Sequence, residues 1–256
     1  MLIDTHCHLD DDRLFENAED IVGKFEQYGI EAVINAGSDY CSSKRSVELA
    51  EKYEKVYATV GIHPEEANAD TNAAYEYFVS VGSNPKLAAI GEAGLDYYHE
   101  NASRETQKKV LTEQIELAHY LRLPIVLHLR DAFADMYEIL KENQGKLVYG
   151  GILHCYSGSK EMLEQFNKFD LFYSVGGAIT FKNYAKFEML QSIPYDRLML
   201  ETDSPYMTPV PFRGRINTPL NVGLVAEKLA EILNKDKEEI VLRTSLNAKT
   251  IYGRLK

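Results

Sequence analysis

The 256-residue chain predicts an α/β fold, a single (β/α)8 TIM barrel spanning residues 1–256. Three observations carry this reading. Eight short apolar, β-rich runs recur at roughly 25- to 35-residue spacing. Helical periodicity fills the intervals between them. No G-x-G-x-x-G follows a strand, which counts against the runner-up, a doubly wound dinucleotide sheet.

The runs are LIDTHCHL (2–9), EAVINAG (31–37), VYATVGIHP (56–64) and LAAIGEAG (87–94), then PIVLHLR (124–130), LVYGGILHC (147–155), LFYSVGG (171–177) and RLMLETD (197–203). Several are apolar nearly throughout, as strands covered on both faces are. Residues 14–28 predict one helix, with Leu14, Ala18, Ile21, Val22 and Phe25 on a single stripe. Residues 106–121 predict another, burying Val110, Leu111, Gln114, Ile115 and Ala118. Asp236 and Glu239 predict a capping box ahead of Ile240. Residues 247–256 predict a helical end on the barrel bottom, with no functional role.

Composition limits the function classes. With 45% hydrophobic and 26% charged residues the chain reads as an ordinary globular protein. The net charge of −11 repels phosphate backbones at long range, which disfavours a broad duplex-binding surface and leaves room for a local cationic site that receives a short strand or a small phosphoester. Three cysteines without a C-x-x-C pair point to a reducing compartment, and no signal or membrane-spanning segment is evident. The expected location is the cytoplasm, with no membrane and no obligate protein partner.

The polar residues fall at one end of the runs. His6 and His8 close run one, His63 run three, Glu92 run four, His128 run five, His154 run six and Asp203 run eight. In a parallel barrel these ends share one mouth. Period-two alternation sends His6 and His8 to the same side. Four imidazoles and two carboxylates exceed one four-coordinate ion and suit two cations, with Glu92 as the bridge. Zinc, iron or manganese fits such donors, and magnesium is not excluded. The same alternation turns Cys7 and Cys155 away, toward the helix layer, as small apolar fillers. His119 sits in a helix as a solvated or packed residue, and His99 is not expected to be a ligand.

With these residues in hand, the sequence resembles the TatD family of metal-dependent deoxyribonucleases, within the amidohydrolase-type barrels. The likeness runs through DTHCHLD (4–10), GIHPE (61–65), GEAGLDYY (91–98), PIVLHLRDA (124–132), HCYSGS (154–159), ETDSPYMTP (201–209) and RGRINTP (213–219). Ile62 and Tyr156 depart conservatively from the usual valine and phenylalanine. The resemblance implies that His6, His8, Glu92 and Asp203 hold one metal, and Glu92, His128 and His154 the second. It implies that Asp203 orients or deprotonates the attacking water, and that His63 faces the substrate phosphate without being a ligand. Glu92 stands where other amidohydrolase-type barrels carry a lysine, which separates this chain from urease-like members.

The expected reaction is hydrolysis of a phosphodiester at a DNA end or in a single strand, by a hydroxide held between two divalent ions (Zn, Mg or Mn). Arg130 and Arg213 are candidate phosphate clamps, with Arg215 beside the latter, and Tyr97, Tyr98 and Tyr206 are candidate base platforms. The same site chemistry would also serve an amide or ester hydrolase, including a deacylase of aminoacyl-tRNA. A non-catalytic nucleotide- or partner-binding barrel ranks below both, because all six candidate ligands are present.

Overall fold

Each apolar run becomes a strand in the computed structural model, which describes residues 1–99 and 101–255. In chain order the elements begin β1 (Leu2–Cys7), α1 (Asp12–Phe15), α2 (Ala18–Gly23), β2 (Ile30–Ala36), α3 (Tyr40–Lys52), β3 (Val56–Val60) and α4 (Asn72–Ser80). They continue β4 (Leu87–Asp96), α5 (Arg104–Leu121), β5 (Ile125–Arg130), α6 (Phe133–Glu142), β6 (Gly151–Leu153) and α7 (Lys160–Phe166). The last are β7 (Leu171–Val175), α8 (Phe187–Ser192), β8 (Leu198–Leu200), α9 (Val222–Leu233) and α10 (Lys237–Ile251). The strands pair in sequence order, each parallel to the next.

Strand alternation divides the core in two. Ile3, Ile34, Val126, Ile152, Phe172 and Met199 point into the barrel. Their neighbours Leu2, Val33, Leu127, Leu153 and Leu198 pack under the helices. Ala248, Ile251 and Tyr252 plug the lower end of the interior, and the Tyr252 hydroxyl donates to the Thr5 carbonyl. The expected C-terminal packing is therefore present, with Lys256 outside the described residues.

The barrel closes through a seam between the first and last strands. The Asp203 amide donates to the His6 carbonyl at 2.9 Å, and the His8 amide to the Ser204 carbonyl at 2.7 Å. Below them the buried Asp4 carboxylate accepts from the Thr202 amide at 2.8 Å and its hydroxyl at 2.5 Å. Thr5 Oγ1 donates to the Leu200 carbonyl. The seam thus places Asp203 beside the two β1 histidines.

Two local expectations are corrected. The helix expected over 14–28 is two short helices. Asp11 caps the first through the Arg13 amide, and the chain turns where the Asn17 amide bonds to the Leu14 carbonyl. Asn17 and Gly23 are poor helix formers, so the stripe breaks while Leu14, Ala18, Ile21 and Phe25 stay buried. The capping box at α10 does not form: Asp236 makes no side-chain cap bond, and Lys235 Nζ takes Glu239 Oε1 at 2.5 Å. By contrast α5 buries the five residues expected of it, plus Gln107.

Candidate metal centre

Glu92 is the hub of the site. It lies within β4 rather than at its end, at a register shift between Ile90 and Ala93. Such an irregularity re-aims a side chain. Gly91 makes room for it, with φ +135° and a backbone approach to Val126 that any Cβ would obstruct.

The two oxygens of Glu92 face different partners. Oε2 lies 3.1 Å from His6 Nε2 and 3.6 Å from His8 Nε2. Oε1 lies 2.9 Å from His128 Nδ1, 2.8 Å from His154 Nε2 and 3.5 Å from His63 Nε2. Asp203 Oδ1 completes the first group, 3.6 Å from His8 Nε2 and 3.9 Å from His6 Nε2. All six sequence-derived candidates converge, and three-residue sets among them have donor atoms close enough for one ion: His6, His8 and Asp203; His6, Glu92 and His154.

The back of each ring explains which nitrogen faces inward. His8 Nδ1 donates to the Ala36 carbonyl at 2.9 Å, leaving the Nε2 lone pair for the centre. His128 Nε2 donates to Asp96 Oδ2 at 3.0 Å, leaving Nδ1. These lone pairs aim at one another and at carboxylate oxygens, an arrangement that asks for protons or cations. His63 is reversed. Its Nδ1 accepts the Glu65 amide at 3.2 Å, so the ring proton sits on Nε2 and points into the site. Burial pushes its pKa down to about 3 despite Glu92, so the ring is neutral.

The electrostatics agree. Burial works against ionising Glu92, yet His154, His6 and His63 hold it well below the usual carboxylate range. Burial likewise opposes the charge on Asp203, and the His8 hydrogen bond with the fields of His154 and His6 outweighs it. Around His128 and His154, burial is outweighed by carboxylates, and both pKa values rise. Perturbed carboxylates and imidazoles packed together mark a functional centre.

Two cavities meet here. One of about 600 Å³ is lined by His8, His63, Glu92, His128 and Asp203 and rimmed by acidic residues. The other, about 430 Å³, shares His128, His154 and Asp203 and extends past Tyr98, Arg130 and Lys186. Arg130 lines both and stacks on Tyr98 at 3.9 Å. Arg213 lines neither and stacks on Phe181 at 3.8 Å.

Two sequence expectations are corrected. Tyr97 is turned away from the mouth: its hydroxyl donates to Asp135 Oδ2 at 2.5 Å, and Tyr98 lines the cavity instead. Cys155 is not packed under the helices. It follows β6 in a turn, with φ +44°, so strand alternation does not govern it, and it lines the second cavity. Cys7 is buried as expected.

Asp96 and Glu201 were not among the expected site residues. Asp96 stands four residues after Glu92 on the same strand, and Glu201 two before Asp203. The even spacing of Asp96 was an available signal, whereas Glu201 and Asp203 lie past β8, where strand alternation supplied none.

A family model described as "TatD related DNase" matches residues 3–253. YabD of Bacillus subtilis, named an uncharacterized metal-dependent hydrolase, is 39% identical over 253 residues, covering 98% of this chain and 99% of its own. YcfH of Escherichia coli carries the same description at 29% identity over 255 residues, 98% and 95% of the two chains. The crystal structure of YjjV, a TatD homologue of Escherichia coli, superposes with a TM-score of 0.92 at 30% identity, covering 98% of both chains. With its barrel, its histidine and carboxylate centre and these relatives, the chain belongs to the TatD family and is a metal-dependent hydrolase.

Proposed function

We propose that the protein hydrolyses phosphodiester bonds at a DNA end or in a single strand, using two divalent cations, in the cytoplasm. The observation that carries the two-cation reading is the division of Glu92, one oxygen toward His6 and His8, the other toward His128 and His154. A carboxylate so divided suits a shared ligand. His6, His8 and Asp203 would hold one ion with Glu92; His128 and His154 would hold the other. Zinc, magnesium or manganese there would supply Lewis acidity and a bound water of lowered pKa.

The side chains do the rest. Asp203, ionised at the edge of both cavities, accepts the proton of the attacking water. His63 donates its Nε2 proton to a nonbridging phosphoryl oxygen, where negative charge builds. Arg130, held against Tyr98, offers its guanidinium fork to a phosphate, and the exposed Tyr98 and Tyr206 offer faces for bases.

The substrate class rests on three supports. The matching family is described as DNase-related. The centre pairs a neutral N–H donor with a stacked arginine. The first cavity is rimmed by Asp10, Asp11, Asp12, Asp39, Glu65 and Glu66, which suits a short strand and disfavours a long polyanion. Three free thiols fit a reducing compartment, and among the described residues no helix is long and apolar enough to cross a membrane.

The test is release of nucleotides from a single-stranded oligodeoxynucleotide by purified protein with Mn²⁺ or Mg²⁺. Release that stops with chelator supports the proposal. Turnover of a carboxylic ester or an aminoacyl-tRNA without nucleotide release would overturn the phosphodiester reading and leave the metal centre standing.

A further inference from the structure

Behind the metal centre lies a buried carboxylate that the reaction above does not use. Glu201 follows β8 and is fully buried. Its Oε2 accepts the Ser174 hydroxyl at 2.5 Å, which anchors one side of the group. Its Oε1 has no hydrogen-bond partner among the described residues. The same holds for His154 Nδ1, also buried, and these two orphaned atoms are 3.8 Å apart. Leaving a buried carboxylate oxygen and a buried ring nitrogen unmatched is costly, so a pair of complementary orphans side by side points to one contact.

The other rings show what the contact is for. His8 is braced from behind by the Ala36 carbonyl, and His128 by Asp96. His154 has its Nε2 toward Glu92 and its Nδ1 toward Glu201. The Cys155 thiol, a weaker donor than the His154 ring nitrogen, lies beside Glu201 as well and is 3.5 Å from Met207 Sδ. We propose that Glu201 is a positioning residue: its Oε1 receives the Nδ1 proton of His154 and fixes that ring with Nε2 aimed at the cation shared with Glu92. This rests on the two-cation reading. Glu201 touches neither substrate nor ion; it acts through His154, as outer carboxylates do at histidine metal sites.

The experiment measures cation affinity by competition with a chelator, on the intact wild-type protein and on Glu201→Gln. Wild type is expected to show two sites. Glu201→Gln should weaken one of them by about 10- to 100-fold and leave the other within about 3-fold. A ¹⁵N-resolved spectrum of the Zn²⁺-loaded wild type should show a protected His154 Nδ1–H resonance that shifts in the variant. In a His154→Asn background, Glu201→Gln should cost nothing further, a non-additivity that a general packing role would not produce. If Glu201→Gln does not fold, Ser174→Ala, which frees the anchored side of Glu201, replaces it, with a loss of about 10-fold at the same site. Two unchanged affinities in a folded variant, or a His154 ring without a proton on Nδ1, would overturn the inference. A wild type that binds fewer than two ions would instead overturn the two-cation reading, which separates the failures.

Discussion

At His8, burial that disfavours a charged ring is outweighed by the Asp203 hydrogen bond and the fields of Glu92 and Asp10, and its pKa is held up at about 9. The sign follows. With a folded value above the unfolded value of roughly 6.5, the protonated ring stabilises the metal-free protein below that value, and the contribution is lost as pH rises through about 9. A cation needs the neutral ring, so loading at pH 7.5 expels protons. Calorimetric titrations in buffers of different ionisation heat should report that release, shrinking above pH 9. Asp203→Asn keeps a ligand oxygen but cannot take a proton. It should retain most bound metal by elemental analysis and lose about 10²- to 10⁴-fold in turnover. The six candidate ligands were legible because histidine is scarce in this chain and these residues fall in or just after the β runs. Asp96 and Glu201 were not, because a carboxylate there reads equally as a strand ending in solvent. Tyr97 and Tyr98 both stood as candidates, and only Tyr98 lines the cavity, because adjacent residues face opposite ways and the sequence does not say which faces the mouth.

Elements were legible to the extent that burial dictates them. Eight strands covered on both faces leave apolar runs too regular to miss, and α5 shows the full stripe of a long helix. Short helices are another matter. Over residues 12–23, tertiary packing needs the apolar stripe but not an unbroken helix, so local turn chemistry decided. The box at α10 failed because Lys235, one residue outside the motif, offered Glu239 a full charge. Close strand contact also makes a prediction. Gly94 pairs with His128 across β4 and β5, and a Cβ at Gly94 would collide with the His128 carbonyl oxygen. Gly94→Ala should cost about 1–3 kcal/mol in urea unfolding and weaken cation binding as well, because the β5 ligand moves with its backbone.

On the scale of the molecule, the fold divides its labour. The lower barrel is a dry plug of interior side chains and α10, while the upper end carries the charge. Without cations, that upper end confines four acidic groups, Glu92, Asp96, Glu201 and Asp203, among His6, His8, His63, His99, His128 and His154. Binding therefore stabilises the folded form alone. At a hundredfold excess over the dissociation constant, each ion should add about 2.7 kcal/mol. For a chain of this size that corresponds to a melting temperature higher with Mn²⁺ than with chelator by about 5–10 °C for each ion bound, readable by scanning calorimetry.

The bonds joining Asp4 to Thr202 and His6 to Asp203 unite residues nearly two hundred positions apart. Translation of nearly two hundred residues therefore separates Asp203 from the β1 histidines that it meets in the fold. A cation seated among His6, His8 and Asp203 would therefore act as a clasp on the join between the first and last strands of the barrel.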